Sequence, residues 1–264
     1  PMIRAAITNN LLEELPLKIY GLGPMFRRER PQKGRYRQFH QINLENMGEK
    51  SPYLDYEIIL IAYKLLNELG INKKHFKLIL NSLGSQEDQK NYSKILIDYL
   101  SQYKSKLSEI SLSRLEKNPM RILDSKDDQD KEVLLNAPVI SENLSLESLK
   151  YFNQVKELLK NNGIDFTIDH KLVRGLDYYT DTAFEFQTNE DKRQNAILAG
   201  GRYDKLISLI STRDIPGIGW AAGVERLMSL IHIENHKEEK LKVLFAVQNE
   251  KYLLKSKILK QIYD

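Results

Sequence analysis

Five of the chain's thirteen arginines fall within residues 27–37, in the run Phe26-Arg27-Arg28-Glu29-Arg30-Pro31-Gln32-Lys33-Gly34-Arg35-Tyr36-Arg37-Gln38-Phe39. Arginine offers a planar fork of donors that pairs with phosphate oxygens, and it keeps its charge when partly buried. Phe39 and Tyr36 add flat rings on which a base could stack. The plain alternative is a solvated edge hairpin whose charges discourage aggregation. The return strand tips the balance. Residues 38–47 alternate so that Phe39, Gln41, Asn43 and Glu45 share one face, a polar row where a buried sheet would carry apolar residues. A phosphate grip beside a polar pocket is the reading that follows.

Two further runs carry chemistry. Residues 171–186 place Arg174 and Asp177 in an apolar and aromatic stretch, with Gly175 allowing a tight turn and Tyr178 and Tyr179 following. Taken alone, Arg174 and Asp177 could be a structural ion pair. Residues 199–231 hold Ala-Gly-Gly-Arg-Tyr-Asp, which contains Tyr203, and then a glycine-rich run leading to Arg226 in the first turn of an expected helix. A cation is disfavoured there unless an anion lies near; an exposed surface arginine is the ordinary alternative. Gly217-x-Gly219-x-x-Ala222 imitates a dinucleotide fingerprint, but residues 211–216 read as a loop, so the strand–turn–helix context is missing. Among the five histidines the one close pair, His232 and His236, sits by a charged linker without the glutamate arrangement of a helical zinc site, and no Walker-type loop or nucleophile elbow is present. No protein metal site is expected.

These groups need a frame. The 264 residues are 41% hydrophobic and 29% charged, enough for a sizeable core in one large domain or one and a half. The formal charge of +4 is compatible with an anionic partner without requiring one. There are no cysteines, which excludes disulfides and thiolate metal sites. With no charged-then-apolar leader in residues 1–20 and no apolar run of membrane-spanning length, the expected compartment is the cytosol.

All 13 glycines lie outside residues 85–162. That window shows helical spacing at 94–100 and 149–159 and predicts a helical insertion, 85–150, between two parts of a catalytic core, 1–84 and 151–235. Strands are expected over 17–28, 38–47, 166–173, 182–187, 195–199 and 218–222, with helices over 52–69 and 224–232. Residues 236–264 read as the start of a further α/β domain.

Taken together the three runs resemble the histidyl branch of the class II aminoacyl-tRNA synthetases. Phe26-Arg27-Arg28-Glu29 with Gly-Arg-Tyr-Arg-Gln-Phe-His-Gln is similar to class motif 2. Residues 219–230 are similar to motif 3, and Leu172-Val-Arg-Gly-Leu-Asp-Tyr-Tyr to the histidine-specific peptide. Asn81-Ser-Leu-Gly and the helical insertion also fit.

The resemblance implies an α+β fold, with an antiparallel sheet flanked by helices, and a homodimer. It implies ATP with Mg2+, histidine and tRNA(His) as partners, no membrane, and transfer of histidine through an adenylate to the tRNA 3′ end. Arg27, Arg174 and Arg226 would be catalytic. Glu29, Arg35 and Phe39 would join Arg27 and Arg226 at ATP. Gln41, Glu45, Arg174, Tyr178, Tyr179 and Tyr203 would hold histidine. The family pattern extends beyond both ends of this sequence, to motif 1 and to the rest of an anticodon-binding domain, so the isolated chain is expected to be inactive or unstable. A non-catalytic synthetase-like regulatory or histidine-sensing paralogue is the rival, and a generic RNA-binding module the third reading.

Overall fold

The structure, a computed structural model, describes residues 1–28, 36–173, 178–189 and 195–231. The expected α/β segment at 236–264 lies outside the described residues, as do Glu29, Arg35, Arg174 and Asp177. A short helix, α1 (Met2–Thr8), precedes the arginine hairpin, whose arms are β1 (Leu17–Phe26) and β2 (Gln38–Met47). Helix α2 (Pro52–Glu68) follows. Its start is written locally, because the Ser51 hydroxyl accepts from the Tyr53 N–H and Pro52 occupies the first turn. It stops where Gly70 adopts a φ of +75°, a conformation that suits glycine after a helix end.

Strand β3 (Phe76–Ser82) leads into a wholly helical stretch: α3 (Gln86–Ser101), α4 (Glu109–Lys117), α5 (Asp128–Val133) and α6 (Leu146–Asn161), with short 3-10 turns between them. The chain then returns through β4 (Phe166–Ile168), β5 (Thr180–Thr188), β6 (Ala196–Arg202), α7 (Leu206–Ile210), β7 (Gly217–Gly223) and α8 (Val224–Met228). Among the described residues these strands form one seven-stranded sheet in the order β1-β2-β7-β6-β5-β3-β4, antiparallel except for the β3–β4 pair. The α+β architecture is the expected one.

Several boundaries differ from expectation. β3 carries no polar alternation, since Phe76, Leu78, Ile79 and Leu80 are all buried, so periodicity did not mark it as a strand. β4 ends at Ile168, not 173, because the chain turns through an Asp169 carbonyl that accepts the Leu172 N–H at 3.0 Å. β1 stops at Phe26 and α8 at Met228, each short of its expected end.

Strand alternation gives the sheet two unlike faces. One carries Leu44 of β2, Ile218, Trp220 and Ala222 of β7, Leu198 of β6, and Phe184 and Phe186 of β5, all packed against α2 and α6. Ile58, Ile59, Ala62 and Leu66 of α2 and Phe152, Val155 and Leu159 of α6 complete this core. Each fully buried aliphatic side chain of this kind contributes about 1.5–3 kcal/mol. A second apolar cluster lies within the helical stretch, around Tyr92, Leu96, Leu100 and Ile140, and reaches Val173, Tyr179 and Ala183. A third sits under α1, around Ile3, Ala6, Met47, Tyr203 and Ile207.

Candidate active site

The other face of the sheet is polar at its sides and nearly bare in the middle. β2 supplies Gln41, Asn43 and Glu45; these stand opposite Gly223, Ala221 and Gly219 of β7, which in turn lead to Ala199 and Gly201 of β6. β5 closes the row with Glu185 opposite Ala199 and Ala183 opposite Gly201. The result is a trough with a glycine and alanine floor between two polar walls.

The floor residues are small for identifiable reasons. A Cβ on Gly219 would collide with a Glu45 carboxylate oxygen and with the Leu44 carbonyl, and one on Gly217 would enter the Tyr203 ring. A Cβ on Gly201 would come within 2.8 Å of the Thr182 carbonyl and 3.0 Å of the Tyr179 ring. The spacing that imitates a dinucleotide fingerprint therefore lies in a strand and makes room for the Glu45 carboxylate and the Tyr203 ring.

At one end of the trough the Tyr203 hydroxyl donates to Glu45 Oε2 at 2.5 Å. Tyr178 meets Tyr203 edge-on, with centroids 6.4 Å apart, and Tyr179 lies 4.8 Å from Tyr178. Gln41 donates its side-chain N–H to Asn43 Oδ1. Burial pushes the Glu45 carboxyl up to about 7, although the Tyr203 hydrogen bond opposes the rise. Burial and the neighbouring Glu45 hold the Tyr203 phenol well above its ordinary range. This end is a half-neutral acid among aromatic rings, suited to a polar or cationic ring of modest size.

At the other end Arg27 and Arg226 approach the same strands. The Arg27 guanidinium lies 4.2 Å from the Phe39 ring centroid, and its Nε donates to the Tyr36 carbonyl at 2.7 Å. Arg226 is half-buried, and its guanidinium makes no hydrogen bond or ion pair among the described residues. Burial lowers its pKa, with Glu185 across the trough opposing.

Glu225 ties these two elements together, and sequence reasoning missed it. β7 ends opposite Gln41, so the next residue of β2, His40, has no further ladder partner on that side. Glu225 Oε1 takes the His40 backbone N–H at 2.7 Å and faces His40 Nδ1 at 2.9 Å. Burial would raise the Glu225 carboxyl, but the His40 contacts outweigh it and hold the group below its ordinary range. Nothing local marks a residue 185 positions away as the partner.

Of the expected site residues, the structure brings together Arg27, Phe39, Gln41, Glu45, Tyr178, Tyr179, Tyr203 and Arg226 around one sheet face. Glu29, Arg35 and Arg174 fall outside the described residues. Among the described residues no group of three or more histidine, aspartate or glutamate side chains could hold a metal ion by itself. No described helix is long and apolar enough to cross a membrane.

A sheet with one helix-covered face and one glycine-floored polar face, gripped by an arginine hairpin, is the frame of a class II aminoacyl-tRNA synthetase core. The comparisons with known proteins are specific. The family model for histidyl-tRNA synthetase matches residues 2–227. The histidine–tRNA ligase of Wolbachia pipientis subsp. Culex pipiens (strain wPip) is 49% identical over 247 residues, 92% of this chain and 60% of the relative. That of Rickettsia bellii (strain RML369-C) is 48% identical over 86% of this chain and 54% of the relative. Among solved structures, apo S. aureus histidyl-tRNA synthetase superposes with a TM-score of 0.73 at 33% identity, covering 99% of this chain and 64% of that one. A Bacillus halodurans protein described as an ATP phosphoribosyltransferase regulatory subunit/histidyl-tRNA synthetase shares the fold, with a TM-score of 0.60 at 20% identity, over 88% of this chain and 63% of that one. The chain belongs to the histidyl-tRNA synthetase family. It spans about three-fifths of the length of the curated relatives it matches.

Proposed function

We propose that this chain is the catalytic core of a histidine–tRNA ligase. It would activate histidine with ATP to histidyl-adenylate and pass the histidyl group to the 3′ end of tRNA(His). The carrying observation is the two-ended trough: Glu45 and Tyr203 at one end, Arg226 and the Arg27–Phe39 pair at the other, on one sheet face.

Attack of a carboxylate on the α-phosphate calls for alignment and charge neutralisation more than for a base. Histidine would seat its ring against Gln41, Glu45, Tyr178, Tyr179 and Tyr203, with its carboxylate directed along the glycine floor. Arg27 would meet the α-phosphate, with Phe39 under the adenine, Glu29 near its amino group and Arg35 also binding the nucleotide. Arg226 would approach from the far side, toward the γ-phosphate, and Arg174 would stand at the α-phosphate where other enzymes use a metal. Mg2+ would arrive with the ATP, held mainly by its phosphates. The setting is expected to be a cytoplasmic homodimer.

The test is histidine- and ATP-dependent pyrophosphate exchange, run on this chain and on a version extended to the length of its relatives. Exchange by the extended protein, abolished by Arg226→Ala, supports the ligase. Histidine binding by the extended protein without any exchange would replace it with the regulatory, histidine-sensing reading.

A further inference from the structure

The helical stretch between β3 and β4 is joined to the sheet by a compact polar knot. α3 and α6 begin at opposite ends of that stretch, yet both are capped at the same carboxylate. Asp88 accepts from the Ser85 N–H and hydroxyl, each at 2.9 Å, from the Ser145 N–H at 2.8 Å and hydroxyl at 3.2 Å, and from the Ser148 hydroxyl at 2.6 Å. Ser85 and Ser145 are the N-cap residues of α3 and α6. Burial would raise the Asp88 carboxyl, but these donors outweigh it and lower its pKa. Because α6 packs on α2, the knot fixes the first turn of α3 relative to the sheet.

The next residue, Gln89, uses that fixed position. Its side-chain N–H donates to the Tyr179 carbonyl at 2.8 Å and to the Gly84 carbonyl at 3.4 Å. The Gly84 carbonyl also accepts the Asp181 N–H at 2.8 Å, and the Asp181 carbonyl accepts the Leu83 N–H at 2.7 Å. Tyr179 and Val173 belong to the apolar cluster of the helical stretch. From Tyr179 the contacts run without a gap: Tyr179 on Tyr178, Tyr178 on Tyr203, and Tyr203 on Glu45.

We infer that the helical stretch sets the geometry of the amino-acid end of the trough, with Gln89 as the positioning residue that acts through Tyr179. Gln89 touches no substrate. Its amide holds the main chain from which Tyr178 and Tyr179 project, and so holds Tyr203 against Glu45. A macromolecule that displaces the helical stretch would change affinity at the Glu45 end and leave the Arg226 end alone. The identity of the ligand as histidine rests on the proposed function; the mechanical coupling does not.

The test uses Gln89→Met, which keeps length and helix propensity but removes the donor. Gln89→Glu keeps the shape and sets a carboxylate against two carbonyls. Loss of the hydrogen bond to the Tyr179 carbonyl, with the longer one to Gly84, weakens histidine binding by about three- to tenfold in the first variant, more in the second. ATP affinity stays at its wild-type value, while the melting temperature of Gln89→Met falls by only about 2–4 °C, as for one lost hydrogen bond. Independently of any ligand, the Glu45 carboxyl, followed by carbon-13 NMR, titrates near 7 in the wild type and higher in Gln89→Met as the Tyr203 bond loosens. An unmoved Glu45 titration overturns the coupling whatever the ligands do. Equal losses of histidine and ATP affinity overturn it too, since Gln89 would then be a general structural residue. If the wild type binds no histidine, the ligase reading fails, and the Glu45 titration still decides the coupling.

Discussion

Arg202 ends β6 and Arg226 lies in α8, which follows the neighbouring strand β7, and their surroundings are opposite. Arg202 is fully buried under the helix-covered face. Its guanidinium pairs with Asp55 of α2 through Nε at 3.0 Å and through a second, shorter contact, with Asp204 at 2.9 Å, and with the Glu49 carbonyl at 3.3 Å. Asp55 also accepts from the Thr182 hydroxyl at 2.5 Å, and Lys50 bridges Asp204 and Asp181. Every polar edge of that guanidinium is answered by the protein. Arg226, half-buried in the trough, has none of its donors answered among the described residues, and Glu185 acts on it only at a distance. A closed network holds elements together. An open cation in a concave polar site is available to an anion that is not part of the chain. The contrast separates an arginine closed by its own protein from one left open to a ligand better than exposure does, because both arginines are withdrawn from solvent.

The largest effect expected is on the closed side. Arg202→Met leaves Asp55 buried without its cation, and breaking a buried pair in this way costs about 3–5 kcal/mol. Urea denaturation measures it, and a loss under about 1 kcal/mol would dissolve the contrast. On the open side the sign divides. Arg226→Ala should leave stability within about 0.5 kcal/mol, as for a side chain with no native partner. The same change should weaken ATP binding by about ten- to a hundredfold, the worth of hydrogen bonds to a charged group. A destabilised Arg226→Ala that binds ATP normally would reverse the assignment.

Gly219→Ala sharpens the description of the floor. Its new Cβ must displace the Glu45 carboxylate, at a cost of about 1–3 kcal/mol for an overpacked site. Histidine affinity should fall while ATP affinity holds, which calorimetric titration of the two ligands separates.

The smallest effect is in pH. Glu45 ionises at 4.5 as an ordinary glutamate and at about 7 in the folded protein. Between those values the native chain keeps a proton that the unfolded chain has released, so stability falls as pH rises through that window. Glu45→Gln should flatten that part of the curve. A wild-type stability that rises between pH 5 and pH 7 relative to Glu45→Gln would show that the carboxyl is not buried as described.

Much of this was legible locally. The alternation of residues 38–47 placed Gln41, Asn43 and Glu45 on one face, and β2 occupies that span. The helix expected over 52–69 is α2, and the glycine-free window forms helices. What stayed hidden depends on pairing across long separations. Tyr203 meets Glu45 across 158 positions, Arg202 meets Asp55 across 147, and His40 meets Glu225 across 185. Local periodicity carries no information about such partners. β3 was hidden for another reason: a strand buried on both faces lacks the alternation by which strands are recognised. The Ala-Gly-Gly-Arg-Tyr-Asp run looked uniform in sequence, whereas the fold sends Arg202 to the closed network and Tyr203 to the trough.

The central claim is that one polar sheet face has a nucleotide end and an amino-acid end. It is tested most directly by titrating ATP and histidine separately into the protein extended to the length of its relatives, as wild type, Arg226→Ala and Glu45→Gln. The account predicts saturable binding of each ligand by the wild type, loss of ATP affinity alone in Arg226→Ala, and loss of histidine affinity alone in Glu45→Gln. Wild-type binding of both ligands that neither variant changes would contradict it.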